Sequence, residues 1–312
     1  MLPLVIVNPK SAGGSTRESW SSIASDLRAH FGPFNVAFTK AAGDGWTLAR
    51  KAAEGGRDLV IACGGDGTVN EVANGILESG RDVELGVLPS GTGGDFRRSI
   101  GIPQASREAA RALRAGRTRR IDVGRVSFVG HDGTHISRYF LNVASFGLAA
   151  SIIERVKSNK ALDWVPMGGV RGRASFALST LQEVVGLSPV NVRIAIEGGE
   201  EKTLRTVNLC FANARYFGGG MMIAPEAKLD DGQLDMVNIG DIRTAKVLLN
   251  AYTLYNGSHL ALDEVKSSLV RSVSVKPADA AEKIDIETDG ELPGRLPAVF
   301  EIVSSALRVR IG

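Results

Sequence analysis

The sequence of 312 residues has only two cysteines, Cys63 and Cys210, each inside an apolar run. Two cysteines are too few for a disulfide framework or for the paired spacing of a zinc site, so both are predicted to be small buried hydrophobic residues. No apolar run approaches the roughly 18 residues that a membrane-spanning helix needs. A net charge of +3 is too small to indicate a nucleic-acid partner. The first residues lack the basic region and cleavage site of a secretory signal, so we expect a cytoplasmic protein.

The whole sequence has 44% apolar residues, 23% charged residues and 37 glycines. This composition is typical of a globular protein with many turns. At about 100–200 residues per domain, the length favours two domains. In the first part of the chain, apolar runs alternate with helical periodicities as far as Gly116. Alternation of strands and helices predicts a parallel sheet flanked by helices.

The pattern changes near residue 120, where short strand-like segments separated by turns replace the alternation. Strands are predicted over residues 119–126, 138–143, 190–197, 204–213, 233–239, 269–276, 283–287, 298–303 and 306–311. Sequence of this kind, poor in helices, predicts an antiparallel β-sandwich, with helices expected only over residues 171–186 and 243–262. We predict domains of residues 1–123 and 124–312, with the end of the chain packing back on the first domain. Because no linker separates the domains, we expect a cleft between them.

Three polar, glycine-rich loops follow predicted strands of the first domain, at residues 8–14, 64–68 and 90–95. The second loop, with the sequence Gly-Gly-Asp-Gly-Thr, joins a buried strand to a helix. Glycines let the backbone turn tightly and approach a ligand closely, and the N–H groups at the start of a helix suit a phosphate. Because open α/β sheets place ligands at their strand ends, the three loops are predicted to converge on one triphosphate.

Other nucleotide-binding motifs are missing from the sequence. No Gly-Lys pair precedes Ser or Thr, which excludes a Walker A loop. Gly65 and Gly67 begin a dinucleotide fingerprint, but Asn70 stands where its third glycine belongs, which argues against hydride transfer. The motifs of protein kinases are also missing.

The three loops together resemble the catalytic domain of the diacylglycerol kinase family, which includes sphingosine, ceramide and bacterial soluble lipid kinases. The similar segments are Asn8 to Ser11, Gly64 to Glu71, Pro89 to Phe96, Ile121 to Gly124, Asn142 to Gly147, Ala224 to Gly232 and Asp289 to Glu291. The Gly-Gly-Asp-Gly-Thr run alone is shared with NAD kinases and phosphofructokinases. The resemblance implies a Rossmann-like α/β domain of the NAD kinase and diacylglycerol kinase type, followed by a mainly antiparallel β-sandwich. One departure is Gly94, where the family usually has Asn.

The resemblance implies that ATP, with Mg²⁺, lies across the three loops. Its contacts are expected at Asn8, Ser11, Thr39, Gly64, Gly65, Asp66, Gly67, Thr68, Glu71 and Thr92. Turn formation is the alternative explanation for these residues, and it stays open for Thr39 and Glu71 in particular.

A lipid hydroxyl must lose its proton as it attacks phosphorus, and a nearby carboxylate is the simplest base. The resemblance places this role at Asp289, with Glu291 as the alternative. It also places Asp66 and Asp122 in a carboxylate–water–magnesium network. A hairpin turn at Asp289 is compatible with the catalytic role.

Asp122 lies in an apolar run, where an unpaired carboxylate would be costly to bury. Its partner is expected to be either the magnesium network or one of two neighbouring cations, Arg120 and Arg125. The choice between metal and arginine stays open in the sequence.

A second, structural ion is implied by the segment around Asp230 to Gly232. The carboxylate of Asp231 and the backbone carbonyls of Lys228 and Gln233 would bind Mg²⁺ or Ca²⁺, since hard cations choose oxygen ligands. A plain polar turn is the alternative.

We therefore expect an ATP-dependent lipid kinase that transfers the γ-phosphate of ATP to a hydroxyl of diacylglycerol or a related lipid. We expect the protein to reach the lipid by peripheral contact with the inner face of the membrane. Six apolar residues are candidates to accept its acyl chains, with an ordinary core position as the alternative: Trp164, Val165, Met167, Phe217, Met221 and Met222. A homodimer is compatible with the resemblance. One alternative is an NAD kinase-like enzyme. The other is a non-catalytic nucleotide- or lipid-binding regulator, and Gly94 is the only indication for this second alternative.

Overall fold

The computed structural model describes residues 1–91, 93–158 and 188–312. Two compact units divide the chain. Unit 1 comprises Met1–Val123 together with Ser304–Gly312, and unit 2 comprises Gly124–Val303.

Strands and helices alternate in unit 1, as the apolar runs predict. Its elements are β1 (Leu4–Val7), α1 (Ser15–His30), β2 (Asn35–Phe38), α2 (Asp44–Glu54), β3 (Leu59–Gly64), α3 (Asp66–Glu78), β4 (Glu84–Pro89), α4 (Asp95–Ser99) and α5 (Ser106–Ala115). A 3-10 turn over Ser11–Gly14 precedes α1. The short helix α4 has no counterpart in the sequence prediction, because only Phe96 gives it an apolar contact that could show a periodicity.

Unit 2 is built mainly from strands. Its elements are β5 (Thr118–Gly130, which begins in unit 1), β6 (His135–Phe140), β7 (Val143–Gly147), α6 (Leu148–Ser158), β8 (Val190–Ile196), β9 (Lys202–Thr206), β10 (Asn208–Ala212), β11 (Tyr216–Phe217), β12 (Met221–Met222), β13 (Leu234–Ile239), α7 (Thr244–Asn250), β14 (Val265–Val270), β15 (Ser272–Pro277), β16 (Asp285–Thr288) and β17 (Glu291–Arg310, which ends in unit 1). Two 3-10 turns, Ala251–Tyr255 and Ser258–Ala261, follow α7.

The strands of unit 1 form a parallel sheet in the order β2-β1-β3-β4, and the end of β17 adds to β4, also in parallel. Every residue of β1, β3 and β4 is buried, because helices cover both faces of such a sheet. Helices α2 and α3 pack closely at Gly75, where a Cβ would lie 2.2 Å from the Trp46 carbonyl oxygen. The predicted α/β domain with a parallel sheet is confirmed.

Unit 2 has the predicted antiparallel sandwich. One ladder runs β14-β13-β10-β7-β16-β17, and β17 also pairs with β15, which continues to β8 and β9. Aromatic side chains fill its core, and the rings of Phe211 and Phe300 stack with centroids 4.1 Å apart. Cys63 and Cys210 are buried in their strands, and burial raises the pKa of the Cys63 thiol to about 12. Both cysteines are therefore inert hydrophobic residues, as predicted.

The predicted strand boundaries in unit 2 are partly wrong. A single predicted strand over residues 204–213 is divided into β9 and β10 at Val207, whose N–H donates to Ile239 and whose carbonyl accepts from Leu148. A single predicted strand over residues 269–276 is likewise divided into β14 and β15. Two predicted strands at the end of the chain are the one long strand β17.

The helix predicted over residues 243–262 ends early. Asn250 leaves the helical conformation with φ −108° and ψ 4°, and Gly257 is left-handed with φ +76°. Two 3-10 turns therefore replace the helix after α7. The helix predicted over residues 171–186 lies outside the described residues, as do the acyl-chain candidates Trp164, Val165 and Met167. Among the helices that the structure describes, none is long and apolar enough to cross a membrane.

Candidate functional site

The three glycine-rich loops follow β1, β3 and β4, which are neighbours in the parallel sheet of unit 1. We call them loop 1 (residues 8–14), loop 2 (residues 64–68) and loop 3 (residues 90–95). Since the carboxyl ends of parallel strands lie at one edge of a sheet, the loops share that edge. Hydrogen bonds and close glycine contacts then join each loop to the next.

Loops 1 and 2 meet at Asn8, whose side-chain amide donates to Thr68 Oγ1 at 3.0 Å. The Asn8 backbone N–H donates to the Cys63 carbonyl at 3.0 Å, which continues the β1–β3 pairing into the loops. Gly64 lies beneath this contact, where a Cβ would approach Thr68 Oγ1 to 2.5 Å and Ser11 Oγ to 3.0 Å. Only glycine fits at position 64 without displacing these side chains.

Loops 2 and 3 approach each other backbone to backbone. The Ser90 N–H donates to the Gly64 carbonyl at 3.1 Å. A Cβ on Gly91 would lie 2.7 Å from the Gly65 Cα, so no larger residue fits between the two loops. The glycines at positions 64 and 91 are thus required by packing within the protein.

Asp66 ties loop 2 to loop 3. Its Oδ2 accepts from the Gly94 N–H at 2.7 Å and its Oδ1 from the Phe96 N–H at 3.1 Å, so the carboxylate binds the start of α4. Gly94 itself is left-handed, with φ +71° and ψ 41°, a conformation that Asn also tolerates and other side chains rarely adopt. Glycine can therefore supply the backbone geometry that the family's usual Asn would have there.

Thr16 is a residue that sequence reasoning missed. Its side chain is fully buried. Its Oγ1 contacts the Ser90 carbonyl oxygen at 2.8 Å, the Ser90 hydroxyl at 2.6 Å and the Ser11 carbonyl oxygen at 3.2 Å. Thr16 thus joins the first turn of α1 to loops 1 and 3. Its position in sequence gives no signal beyond that of an ordinary residue at a helix start.

The helix that follows loop 2 presents N–H groups to the edge where the loops lie. The first helical bond that the structure gives here runs from the Val69 N–H to the Gly65 carbonyl at 3.1 Å, so the amides before Val69 precede the intrahelical ladder. Gly67 is exposed, its φ lies outside the left-handed region, and a Cβ there would have no neighbour within 4 Å. Neither packing nor backbone conformation therefore requires glycine at position 67.

Two further predicted contacts, Thr39 and Glu71, lie beside this edge. Thr39 is buried after β2 and its N–H donates to the Val7 carbonyl at 2.9 Å. Glu71 accepts from the Gly43 N–H at 2.8 Å and from the Gly45 N–H at 2.9 Å, so its carboxylate holds the start of α2. Thr92 lies outside the part of the chain that the structure describes.

A pocket of about 510 Å³ adjoins loop 1 in unit 1. It combines an aromatic surface with three cationic side chains. Its lining residues are Val7, Pro9, Lys10, Arg17, Trp20, Phe38, Thr39 and Lys40. The rings of Trp20 and Phe38 meet edge to face with centroids 5.7 Å apart.

Asp122 is 2% exposed, and its Oδ1 accepts from the Ser305 N–H at 2.7 Å within unit 1. The two arginines predicted as its possible partners each form an ion pair with another residue. Arg120 pairs with Asp82 at 2.9 Å and Arg125 with Glu301 at 2.9 Å. Both arginines thus bind other carboxylates, and the choice between a metal and an arginine as partner of Asp122 stays a prediction. Sequence gave no signal for Ser305, which is 183 residues away.

Asp289 lies in unit 2 at the turn between β16 and β17. Its φ is +45°, and its carboxylate accepts from three consecutive backbone N–H groups, those of Leu141 at 2.7 Å, Asn142 at 2.9 Å and Val143 at 3.1 Å. The segment before β7 thus fixes the position of the carboxylate. The alternative base, Glu291, is exposed at the start of β17.

A buried carboxylate that sequence reasoning missed supports this turn. Glu287 is 5% exposed and accepts from the Ser145 hydroxyl at 2.7 Å and from the Gly290 N–H at 2.6 Å. The alternation of Glu287 with its apolar neighbour Ile286 is the only sequence signal, and it predicts a solvent-facing Glu instead.

The predicted structural ion site lies in the turn before β13. Asp231 Oδ1 accepts from the Gln233 N–H at 3.1 Å. Burial raises the pKa of the nearby Asp235 to about 6, and the charges of Asp231 and Glu226 raise it further, against the opposing effect of Lys228. Oxygen donors and excess negative charge are compatible with a divalent cation at this turn. Across the described ranges, however, no group of three or more His, Cys, Asp or Glu side chains is arranged to hold a metal ion.

These features define a class of protein: an α/β unit whose glycine-rich loops share the carboxyl edge of a parallel sheet, followed in the chain by an antiparallel sandwich that carries a carboxylate on a fixed turn. Two family profiles match this chain. Residues 3–126 match the diacylglycerol kinase catalytic domain, and residues 142–311 match the YegS C-terminal NAD kinase beta sandwich-like domain. The chain belongs to the diacylglycerol kinase family.

Individual relatives agree with this assignment. The chain is 31% identical over 255 residues to a diacylglycerol kinase of Mycobacterium tuberculosis strain CDC 1551 / Oshkosh, covering 81% of this chain and 77% of that protein. It is 31% identical over 266 residues to a diacylglycerol kinase of Bacillus subtilis strain 168, covering 84% and 80%. A solved structure of a proposed diacylglycerol kinase from Bacillus anthracis strain Sterne is similar with a TM-score of 0.77 at 26% identity, covering 100% of this chain and 95% of that one.

Proposed function

We propose that this protein is an ATP-dependent lipid kinase that transfers the γ-phosphate of ATP to a hydroxyl of diacylglycerol or a related lipid. The observation that carries the proposal is Gly67 in loop 2. Glycine at this position is required neither by packing nor by φ. The residue nevertheless lies in the first turn of α3, where backbone N–H groups have no acceptor within the helix. A ligand that approaches this backbone closely explains the glycine, and phosphate is the ligand that a helix start suits.

The phosphates of ATP would lie on loop 2, with the amides of Gly65, Gly67 and Thr68 as donors. Asn8 would contribute by orienting Thr68, to which it donates. The pocket beside loop 1 would accept the nucleoside, since it offers aromatic faces for a base and cations for nearby phosphate oxygens. Thr39 lines this pocket. Ser11 in loop 1 and Thr92 in loop 3 would belong to the same nucleotide site.

Asp66 and Glu71 would act through the backbone that they hold. Asp66 fixes the start of α4 and Glu71 the start of α2. Phosphoryl transfer depends mainly on positioning and on neutralising charge, so carboxylates that fix the neighbouring loops contribute to the reaction without touching phosphorus.

Asp289 would accept the proton of the lipid hydroxyl as that oxygen attacks the γ-phosphorus. The new oxygen–phosphorus bond forms while the bond to the β-phosphate oxygen breaks, and the products are the phosphorylated lipid and ADP. Three backbone N–H groups hold the Asp289 carboxylate in one orientation. A base held this way loses little freedom when substrate binds.

Mg²⁺ bound with ATP would offset the negative charge that gathers on the phosphate oxygens during transfer. A second ion, Mg²⁺ or Ca²⁺, would take the carboxylate of Asp231 and the backbone carbonyls of Lys228 and Gln233. Its contribution there would be to offset the negative charges of Asp231 and Glu226, which add to the effect of burial in raising the pKa of Asp235.

A panel of acceptors with radiolabelled ATP tests the proposal. Diacylglycerol, phosphatidylglycerol, a sphingoid base and ceramide are presented in mixed micelles, and NAD is offered in solution. Label is expected in a lipid product and not in NADP. Transfer to NAD alone would establish the NAD kinase alternative, and no transfer to any acceptor would support the non-catalytic regulator.

The variant Gly67→Ala tests the observation on which the proposal is based. Alanine has space at this position and favours a helix by about 1 kcal/mol over glycine, so folding should be unimpaired. ATP affinity, measured by calorimetry, is expected to fall at least about tenfold. Unchanged affinity would show that no ligand approaches this backbone.

A further inference from the structure

An arginine that follows loop 3 has hydrogen-bond donors that the fold leaves unused. Arg97, in α4, is half-buried, and its Nη1 donates to the Ile102 carbonyl at 3.1 Å. Its Nε is buried and has no hydrogen-bond partner within the part of the chain that the structure describes. A guanidinium carries five N–H groups in a planar fork, and a buried donor without an acceptor costs free energy. Arg97 is therefore able to take a further acceptor.

The positive charge of Arg97 is also incompletely balanced. Its neighbour Arg98 forms an ion pair with Asp95 at 2.6 Å, whereas none of the ion pairs between described residues includes Arg97. Burial lowers the pKa of Arg97 and the charge of Arg98 lowers it further, against the opposing effects of Asp66 and Asp95. Because the pKa is lowered on balance, the two carboxylates do not fully offset burial and the second cation. A bound anion would supply the missing negative charge.

The side chain of Arg97 fills the space beside Gly94 in loop 3. A Cβ on Gly94 would lie 2.8 Å from the Arg97 Nε, 3.2 Å from its Cγ and 3.3 Å from its Cδ. Position 94 is also where this sequence departs from the family's usual Asn. Any side chain at position 94 would displace the guanidinium, so glycine makes room for Arg97.

The loop on which Arg97 packs is joined to loop 2. The Gly94 N–H donates to Asp66 of loop 2 at 2.7 Å, and Gly91 lies against Gly65 without space for a Cβ. Loop 2 is the loop to which the proposed function assigns the phosphates of ATP. Among the cationic side chains, arginine suits phosphate because its planar fork can donate to two oxygens at once.

We propose that the Arg97 guanidinium donates to a phosphate oxygen of bound ATP, and that Gly94 provides the space in which it does so. The proposal rests on the proposed function, because ATP is the anion that brings phosphate to this edge of the sheet. Negative charge on the phosphate oxygens must be neutralised during phosphoryl transfer, and a cation with unused donors contributes to this. The glycine that is the only indication of a non-catalytic regulator then has a role in nucleotide binding.

Calorimetric titrations with ATP and with adenosine test the contact. In Arg97→Gln the affinity for ATP is expected to fall at least about tenfold, which corresponds to about 1.4 kcal/mol, while the affinity for adenosine stays the same. Arg111→Gln is the matched control, because it removes the same charge from an exposed position on α5, and it should bind ATP like the wild type. Wild-type ATP affinity in Arg97→Gln would overturn the proposal. An equal loss of affinity for ATP and adenosine would indicate a structural role and would also overturn it.

Gly94→Asn tests the link between the two residues. Asn tolerates the left-handed φ of +71° at this position, so the backbone of loop 3 should be kept while the new Cβ displaces Arg97. The affinity for ATP should fall about as far as in Arg97→Gln, and the double variant should bind no more weakly than either single variant. Unchanged affinity in Gly94→Asn, or additive losses in the double variant, would show that the two residues act separately and would overturn the role of Gly94.

Turnover separates this proposal from the proposed function. If no lipid is phosphorylated but the affinity for ATP, and not for adenosine, depends on Arg97, the proposed function fails and the phosphate contact stands. If the wild type and Arg97→Gln phosphorylate a lipid with the same kcat and the same KM for ATP, the proposed function stands and the phosphate contact is overturned.

Discussion

Replacing Asp66 by asparagine should loosen loop 3 without unfolding unit 1. In the wild type each carboxylate oxygen accepts from one backbone N–H, that of Gly94 at 2.7 Å and that of Phe96 at 3.1 Å. Asparagine keeps the shape of the side chain but has one acceptor oxygen and an NH₂ group in place of the other. Either the Gly94 N–H or the Phe96 N–H must then face the NH₂ group of the asparagine, which is itself a donor.

The magnitude follows from these two bonds. A hydrogen bond to a charged group contributes about 1.5–3 kcal/mol, and a donor left without an acceptor adds a desolvation penalty. Asp66 is half-buried, so water repairs part of the loss. We expect the free energy for local opening of loop 3 to fall by about 2–4 kcal/mol, which raises the open population about 30- to 900-fold.

Hydrogen exchange measures this opening directly, since the amides of Gly94 and Phe96 report on it. Glu71→Gln is the matched control, because Glu71 also binds two backbone amides, those of Gly43 and Gly45. Each variant should lose protection at its own pair of amides and not at the other pair. Wild-type exchange at Gly94 and Phe96 in Asp66→Asn would refute the anchoring role. If those amides do open but ATP affinity is unchanged, the convergence of the three loops on one nucleotide is refuted.

Three further predictions concern other carboxylates and one histidine. Asp289→Asn should lower the rate of lipid phosphorylation at least about 100-fold with ATP affinity nearly unchanged; near-normal turnover would move the base to another residue. Asp231→Ala should lower the melting temperature, and excess Mg²⁺ should restore part of the loss. If the melting temperature of both wild type and variant is the same with Mg²⁺ as with a chelator, the proposal of a second ion is refuted. Burial lowers the pKa of His259 below its usual 6.5. Because the unfolded chain then binds more protons than the folded chain, the free energy of unfolding should fall as pH falls below about 6.5. Denaturant titrations of His259→Gln should not show this pH dependence, and an unchanged pH dependence would assign it to other groups.

The architecture of unit 1 could be predicted because each of its elements carries its own local signal. The runs that become β1, β3 and β4 are wholly apolar, as strands buried on both faces must be. Glycines mark the loops that follow them. The three loop positions, and hence the candidate site, follow from this alternation together with the polar residues at the strand ends.

The contacts that join the loops could not be predicted, because they link residues far apart in sequence. Asp66 and Gly94 are 28 residues apart, and Thr16 and Ser90 are 74 apart. Local patterns do not encode which carboxylate will meet which backbone N–H. Glu71 illustrates the difficulty, since no local pattern shows that its carboxylate accepts from the N–H groups of Gly43 and Gly45, which lie 28 and 26 residues away in sequence.

In unit 2, the sandwich was predictable and its strand boundaries were not. Strand β17 has 20 residues and pairs with different partners along its length, so no single alternation of polar and apolar residues describes it. Strand β7 was missed for a related reason: Ser145 is buried opposite Glu287, to which its hydroxyl donates at 2.7 Å, and a polar residue there hides the strand from a hydrophobic pattern.

The end of β17 has a consequence for the order of events during synthesis. Arg308 and Val309 pair with Glu84 and Leu85 at the edge of the unit 1 sheet, and Arg308 and Arg310 both contact the Glu84 carboxylate. Domains generally fold as they leave the ribosome, the N-terminal one first. Here the N-terminal unit lacks its last strand until residues 304–310 have been synthesised. Until then β4 is an unprotected sheet edge on the nascent chain, open to pairing with other strands. Unit 1 can therefore be completed only after all of unit 2 has been synthesised.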